Sequence, residues 1–312
     1  MHTITPTQIT VMNALVTGAT GFIGRHLLAR LDRPAVLSRN AARAEKELTE
    51  FSARAFAWDP LAGPPPAEAF SGVDTVIHLA GEPVADRRWN AAKKQAIRDS
   101  RVIGTRNLVD AIERLDARPR VLVSCSAVGY YGDRGDEPLD EASRPADDFL
   151  AHVCIDWEKE AARAESLGLR VAHVRVGVVL GREGGALPKM LTPFKLGLGG
   201  RLGSGRQWMP WVHVDDVVGI MLHAATCDQV HGPINATAPG VATNAQFTKA
   251  LGKALGRPTI FPMPAAVFKL LVGEFAQIVL SSQKIAPRVA QETGYRFAHP
   301  EIGPALAELV KE

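Results

Sequence analysis

Residues 17–24 read TGATGFIG, and they decide the fold. Gly18, Gly21 and Gly24 are spaced G-x-x-G-x-x-G between an apolar run at 12–17 and a helix-like run at 22–32. Each glycine has its own physical task. Gly18 permits a tight turn, Gly21 lets the backbone approach a pyrophosphate, and Gly24 lets helix and strand pack closely, with phosphates at the helix N-terminus. Thr20, Phe22 and Ile23 fill the rest of the loop and join the candidate phosphate-contacting set. A glycine triplet alone is a weak signal; the strand before it and the helix after it give it weight.

Outward from this loop, strand-like runs fall at 34–38, 54–58, 74–79, 121–125 and 170–176. Apolar residues at helical spacing cover 90–115 and 147–167, with Asn90 and Asp147 or Asp148 as N-caps. Strands alternating with helices predict an α/β protein built on a doubly wound parallel sheet of the Rossmann type. After Leu180 the composition shifts to glycine-rich loop, LGLGGRLGSGRQW at 196–208. Helices at 243–256, 264–273 and 300–311 then alternate with proline turns. This predicts a dinucleotide-binding domain over 11–182, completed by about 212–238, and a smaller C-terminal α/β cap within 183–312. The opening MHTITPTQIT has neither a basic nor an apolar signal region and is expected to be a frayed extension.

The end of the second strand selects the dinucleotide. An acidic residue about 20 positions past the first glycine takes a ribose 2′-hydroxyl, whereas a 2′-phosphate requires a cation and no nearby carboxylate. Ser38, Arg39 and Asn40 occupy that place. Arg39 can fork onto a phosphate and Ser38 can donate to it, so NADP(H) is the expected cofactor.

Composition narrows the remaining classes. The 312 residues carry 36 basic and 33 acidic side chains, a net charge of +3, with no basic block of the kind that tracks nucleic acid. No apolar run has the length of a membrane span. Cys125, Cys154 and Cys227 are odd in number and far apart, which predicts neither a disulfide framework nor a zinc site and fits a reducing cytoplasm.

Longer segments carry a family resemblance across nearly the whole chain. They are HLAGEPVADRRW at 78–89, SAVGYYG at 126–132, RVGVVLG at 175–181, PFKLGLGGRLGSGRQWMPWVHVDD at 193–216, NATAP at 235–239 and PRVAQETGYRF at 287–297. The chain resembles the extended short-chain dehydrogenase/reductases, in particular an atypical epimerase-like branch with a C-terminal domain of unknown function. The resemblance implies that Asp59 contacts adenine, that Leu79, Ala80 and Gly81 lie under the cofactor, and that Val178 meets the nicotinamide. Ser126 falls on the family's catalytic Ser/Thr, and Arg101 stands where an Asn is usual, within reach of cofactor phosphates or ribose. The helices at 90–115 and 147–167 are those through which the family often dimerises, so a homodimer is the expected assembly.

One element of the family pattern is missing. Its chemistry uses a Tyr-x-x-x-Lys pair in which lysine lowers the tyrosine pKa for proton exchange with substrate. Tyr130, Tyr131 and Tyr295 are followed four residues on by Arg134, Gly135 and His299, and alignment through Glu158 puts Leu150 and Cys154 in the two places. Tyr131 is then the first candidate proton donor, against a role as a packed ring; His152 and Cys154 lie on the same helix. Glu82, Arg206 and Trp208 are candidate contacts for a small-molecule substrate. His213 with Asp215 and Asp216 reads as an acidic helix start rather than a metal site. Two functions follow: an NADP(H)-dependent oxidoreductase or epimerase-like enzyme, or a protein that binds NADP(H) and responds to its redox state without turnover.

Overall fold

The computed structural model describes residues 12–311, so the expected N-terminal extension lies outside the described residues. Seven strands form one parallel sheet, in the order Gly232–Ala236, Arg170–Val176, Val121–Ala127, Thr75–His78, Ala14–Thr17, Ala35–Ser38, Arg54–Ala57. The register sets Leu15 beside Ala35 on one flank and beside Val76 on the other. Strand order reverses between Ala14–Thr17 and Thr75–His78, and a doubly wound sheet opens a ligand crevice at such a switch, outside the carboxyl ends of the strands.

Successive residues of a strand point to opposite faces, so the two central strands, buried along their length, serve two cores. Val16, Ile77, Val123 and Val174 pack with Leu27, Val217 and Met221 of helices Phe22–Leu28 and Val214–Thr226. Leu15, Val76, Leu122 and Val171 pack with Leu108 and Ile112 of helix Ala91–Glu113 and Ala161 of helix Phe149–Ala162. Covering both faces is what a parallel sheet requires, and it explains apolar runs without alternation. Asn90 and Asp148 cap the two long helices by accepting the backbone N–H of Lys93 and Ala151.

The cap holds a third core of Leu180, Leu187, Phe194, Trp211, Phe247, Leu251 and Leu306. It is attached through short pairings: Val178–Leu180 with Trp211–His213, and Trp208–Met209 with Ala242–Thr243. The glycine-rich stretch is preceded by helix Leu187–Lys195, which the composition did not predict. The cap region also sends a segment back to the sheet. Asp216 accepts the Tyr295 hydroxyl at 2.9 Å and the backbone N–H groups of Ala298 and His299 at 2.8 and 2.9 Å. Val289 and Phe297 pack on the first core beside them.

Candidate functional site

The glycine loop is held by close backbone approach. Gly18 has φ +69°, and a Cβ there would lie 2.8 Å from the carbonyl carbon of Leu79, so the loop after the first strand presses on the loop after the fourth. At Gly24 an added Cβ would lie 2.4 Å from the Gly18 carbonyl oxygen, which seats the helix start against its own turn. Thr20 and Gly21 are exposed at the open end, Phe22 and Ile23 half-buried. The Phe22 ring occupies the space where Cβ atoms at Gly181 and Gly184 would stand, 2.2 and 2.4 Å away. The carboxyl end of the first strand therefore carries a close-packed glycine turn at a helix N-terminus, a cradle of the kind suited to an anionic phosphate.

At the end of the second strand, Arg39 is exposed and makes no hydrogen bond or ion pair among the described residues. Ser38 Oγ accepts the Asn40 N–H at 3.3 Å, and Asn40 caps the helix Ala41–Glu47. Asp59 is also exposed, its carboxylate accepting the Leu61 N–H.

A polar chain supports the floor between the first and fourth strands. Thr17 Oγ1 accepts the N–H groups of Leu79 and Ala80 at 3.1 and 3.0 Å. Its own proton then goes to His78 Nδ1 at 2.7 Å, which leaves His78 Nε2–H to donate to Thr105 Oγ1 at 3.0 Å. Burial, together with the positive charge of Arg101, holds the His78 pKa down at about 4, so the ring is neutral and the floor uncharged. The sequence reading missed this chain, whose three side chains are 61 and 27 residues apart.

Beyond the fifth strand the site is charged and closed. Ser126 Oγ donates to Glu158 Oε1 at 2.6 Å. Glu158 takes a two-pronged bond from Arg175, Nε to Oε1 and Nη2 to Oε2, each 2.8 Å. Burial alone would lower the Arg175 pKa, but the Glu158 bonds outweigh it and hold the cation firmly charged. Arg175 Nη1 donates to the Tyr131 hydroxyl at 3.0 Å, and that hydroxyl donates to Asn235 Oδ1 at 2.7 Å. Tyr131 is 0% exposed and burial raises its pKa to about 12, so its proton is committed inside the protein. This geometry fits the packed-ring reading and gives no support to Tyr131 as a proton donor to substrate. Ser126 is similarly enclosed. The buried arginine inside the apolar strand RVAHVRV was the available signal for this network, since a buried cation requires a partner.

Leu150 and Cys154, expected from the sequence in the dyad's two places, both face Gly129 just after the fifth strand, and Cys154 Sγ donates to the Ala127 carbonyl at 3.6 Å. His152 points to solvent and pairs with Asp147. The three expected substrate contacts fall in two segments, Glu82 after the fourth strand and Arg206 with Trp208 at the short strand Trp208–Met209. Glu82 pairs with buried Lys93 at 2.7 Å and stands 3.9 Å from Arg87. Trp208 donates its indole N–H to Asp136 at 2.7 Å. Arg206 is exposed on the loop before it. Val178 lies at the base of the cap, its N–H bonded to the Pro210 carbonyl. Arg101 reaches back from helix Ala91–Glu113 to lie against Gly81, its Nη1 donating to the carbonyls of Glu82 and Ile97 at 3.0 and 3.1 Å.

His213, Asp215 and Asp216 start the helix Val214–Thr226, with His213 Nδ1 accepting the Asp215 N–H. The His213 ring stacks on His299 at 3.7 Å with a 29° tilt. One nitrogen of each ring and a carboxylate oxygen of Glu308 lie within 4.8 Å of one another.

Residues 14–236 match the model of the NAD dependent epimerase/dehydratase family, and residues 263–309 match a domain of unknown function, DUF1731. The chain is 41% identical to the chloroplastic epimerase family protein SDR39U1 homolog of Arabidopsis thaliana, over 96% of this chain and 87% of that one. It is 40% identical to human epimerase family protein SDR39U1, over 96% and 100%. A crystal structure of the human protein (isoform 2) with NADPH superposes with a TM-score of 0.85 at 38% identity, covering 96% of this chain and 99% of that one. UDP-glucuronic acid 4-epimerase of Bacillus cereus, at 16% identity and a TM-score of 0.74 over 96% and 98%, shares the fold. Among the described residues no helix is long and apolar enough to cross a membrane. The glycine cradle, the switch-point crevice and these likenesses agree, and the chain belongs to the NAD dependent epimerase/dehydratase family.

Proposed function

We propose that this protein binds NADP(H) in the switch-point crevice and acts as an oxidoreductase or epimerase-like enzyme on a small molecule, without the Tyr-x-x-x-Lys pair. The observation that carries the reading is the glycine cradle at the Phe22–Leu28 N-terminus with exposed, unpaired Arg39 at the neighbouring strand end. The human relative solved with NADPH supports the same cofactor. Gly18, Thr20, Gly21, Phe22, Ile23 and Gly24 surround the phosphates, Ser38 and Arg39 hold the 2′-phosphate, and Asp59 lies toward adenine. Leu79, Ala80 and Gly81 form the floor and Val178 the wall toward the nicotinamide. When bound, the cofactor supplies or accepts a hydride; the chain orients it, and the loop around Glu82 with the cap bearing Arg206 and Trp208 keeps water from the reacting carbon. A reducing compartment such as the cytoplasm is part of this proposal, supported by the three free thiols.

The sealed Tyr131 hydroxyl favours a second reading, a redox-responsive NADP(H)-binding protein without turnover. Calorimetric titration with NADPH and NADH tests the first point: tight uptake of NADPH with much weaker uptake of NADH is expected, and uptake of neither overturns the proposal. A panel of carbonyl compounds and nucleotide sugars then separates the readings. Oxidation of bound NADPH by any member makes the protein an enzyme; persistent binding with no oxidation favours the second.

A further inference from the structure

We propose that Arg101 forms a subsite for an oxyanion of the substrate, a carboxylate or a phosphate, beside the nicotinamide end of the crevice. The inference rests on the reading that this crevice holds NADP(H). An added Cβ at Gly81 would lie 3.2 Å from the Arg101 Cζ, 3.3 Å from Nη2 and 3.4 Å from Nη1. These near-equal distances place the flat face of the guanidinium against Gly81. Its Cζ also lies 5.2 Å from the centre of the Trp157 ring. Backbone carbonyls use Nη1, while Nη2 and Nε make no hydrogen bond among the described residues. That free edge is the two-pronged fork that matches an oxyanion.

The charge around Arg101 is also unbalanced. Among the described residues no carboxylate pairs with it. The nearby acids are taken: Glu82 by Lys93 and Arg87, Glu158 by Arg175. Cys125 and Cys154 lie close by, but burial pushes their thiols up to about 12 and about 11, so they supply no negative charge at neutral pH. A partly enclosed cation without a counter-charge favours an anionic ligand. The cofactor's own phosphates belong elsewhere: the cradle stands at the first strand, and Arg39 at the second. Arg101 stands on the side of the first strand away from Arg39, by the loop after the fourth strand. The anion it lacks is therefore one the substrate brings.

The test uses the full chain saturated with NADP+, titrated calorimetrically with acetate, inorganic phosphate and neutral acetamide. Wild type is expected to take up one of the two anions saturably and acetamide not at all; which anion binds identifies the source. Arg101→Gln is expected to weaken that uptake by about tenfold or more, and Arg101→Lys to weaken it less, since a point charge cannot fork. NADPH affinity should change less than about threefold in both, because the phosphate contacts lie elsewhere. Retained NADPH uptake also shows that each variant folds, and the lysine variant serves if the glutamine one does not. The proposal is overturned if wild type binds NADPH but neither anion, if Arg101→Gln keeps anion uptake, or if either variant loses NADPH affinity in step with the anion. Failure of wild type to bind NADPH removes the cofactor reading, and this inference with it.

Discussion

The two halves of the crevice are built on opposite principles. On the side of the first strand, specificity comes from backbone: three glycines, a helix start and a neutral Thr17–His78–Thr105 support, with Arg39 left unengaged. On the side of the fifth strand, Ser126, Glu158, Arg175, Tyr131 and Asn235 satisfy one another in a buried, charged network. The first half keeps exposed residues such as Thr20, Gly21 and Arg39, whereas the polar groups of the second pair with one another. Polar groups that already hold each other's protons contribute rigidity, and this network gives no support to the proton exchange that the family resemblance implies.

That contrast can be broken at its strongest point first. Glu158→Ala leaves the buried Arg175 cation without its carboxylate and is expected to cost about 3–5 kcal/mol of stability, read from urea unfolding; a loss below 1 kcal/mol on the same scale would mean that the network is not structural. Arg39→Asp tests the open half. It should weaken NADPH binding by about 2–3 kcal/mol, the scale of charged hydrogen bonds, and leave NADH nearly unchanged. Equal losses for both nucleotides would remove the 2′-phosphate assignment.

A smaller effect sharpens the role of Tyr131. Removing its hydroxyl in Tyr131→Phe leaves Asn235 and Arg175 each short of a partner and should cost about 1–2 kcal/mol, without altering NADPH affinity. If thermal stability is unchanged and turnover of any substrate found is abolished, the proton-donor role returns. The smallest effect concerns His299, whose pKa is raised by its bond to Asp215 and by Glu308, while burial and the charge of His299 lower that of stacked His213. Because the folded pKa of His299 lies above its ordinary 6.5, its contribution is full below that value and fades as pH rises through the folded one. His213, lowered, opposes it on the acid side. His299→Gln should therefore lower the melting temperature more at pH 6 than at pH 8.5; the reverse order would contradict the assignment.

Some of this was legible in the chain alone. The glycine loop and the cap Asn90 were legible, the second cap fell on Asp148 of the expected pair Asp147 or Asp148, and all six expected strands fell within two residues of their observed ends. The fifth strand ran two residues further, to Ala127. These features depend on φ values, capping bonds and apolar patterns over a few neighbouring residues, which a sequence displays directly. The helix Leu187–Lys195 was not legible, because Pro193 lies within it and the glycine-rich stretch follows at once.

What the sequence determined by itself was the doubly wound sheet and the phosphate cradle, since both follow from local conformation and from which residues must leave water. Only the tertiary structure decided which polar groups pair with each other and which keep unpaired donors among the described residues. Tyr131 meets an asparagine 104 residues away and an arginine 44 away, while Arg101 holds carbonyls 19 and 4 residues away and keeps its Nε and Nη2 unbonded among the described residues. Pairings at that range are set by how strands and helices stack, and no spacing along the chain encodes them.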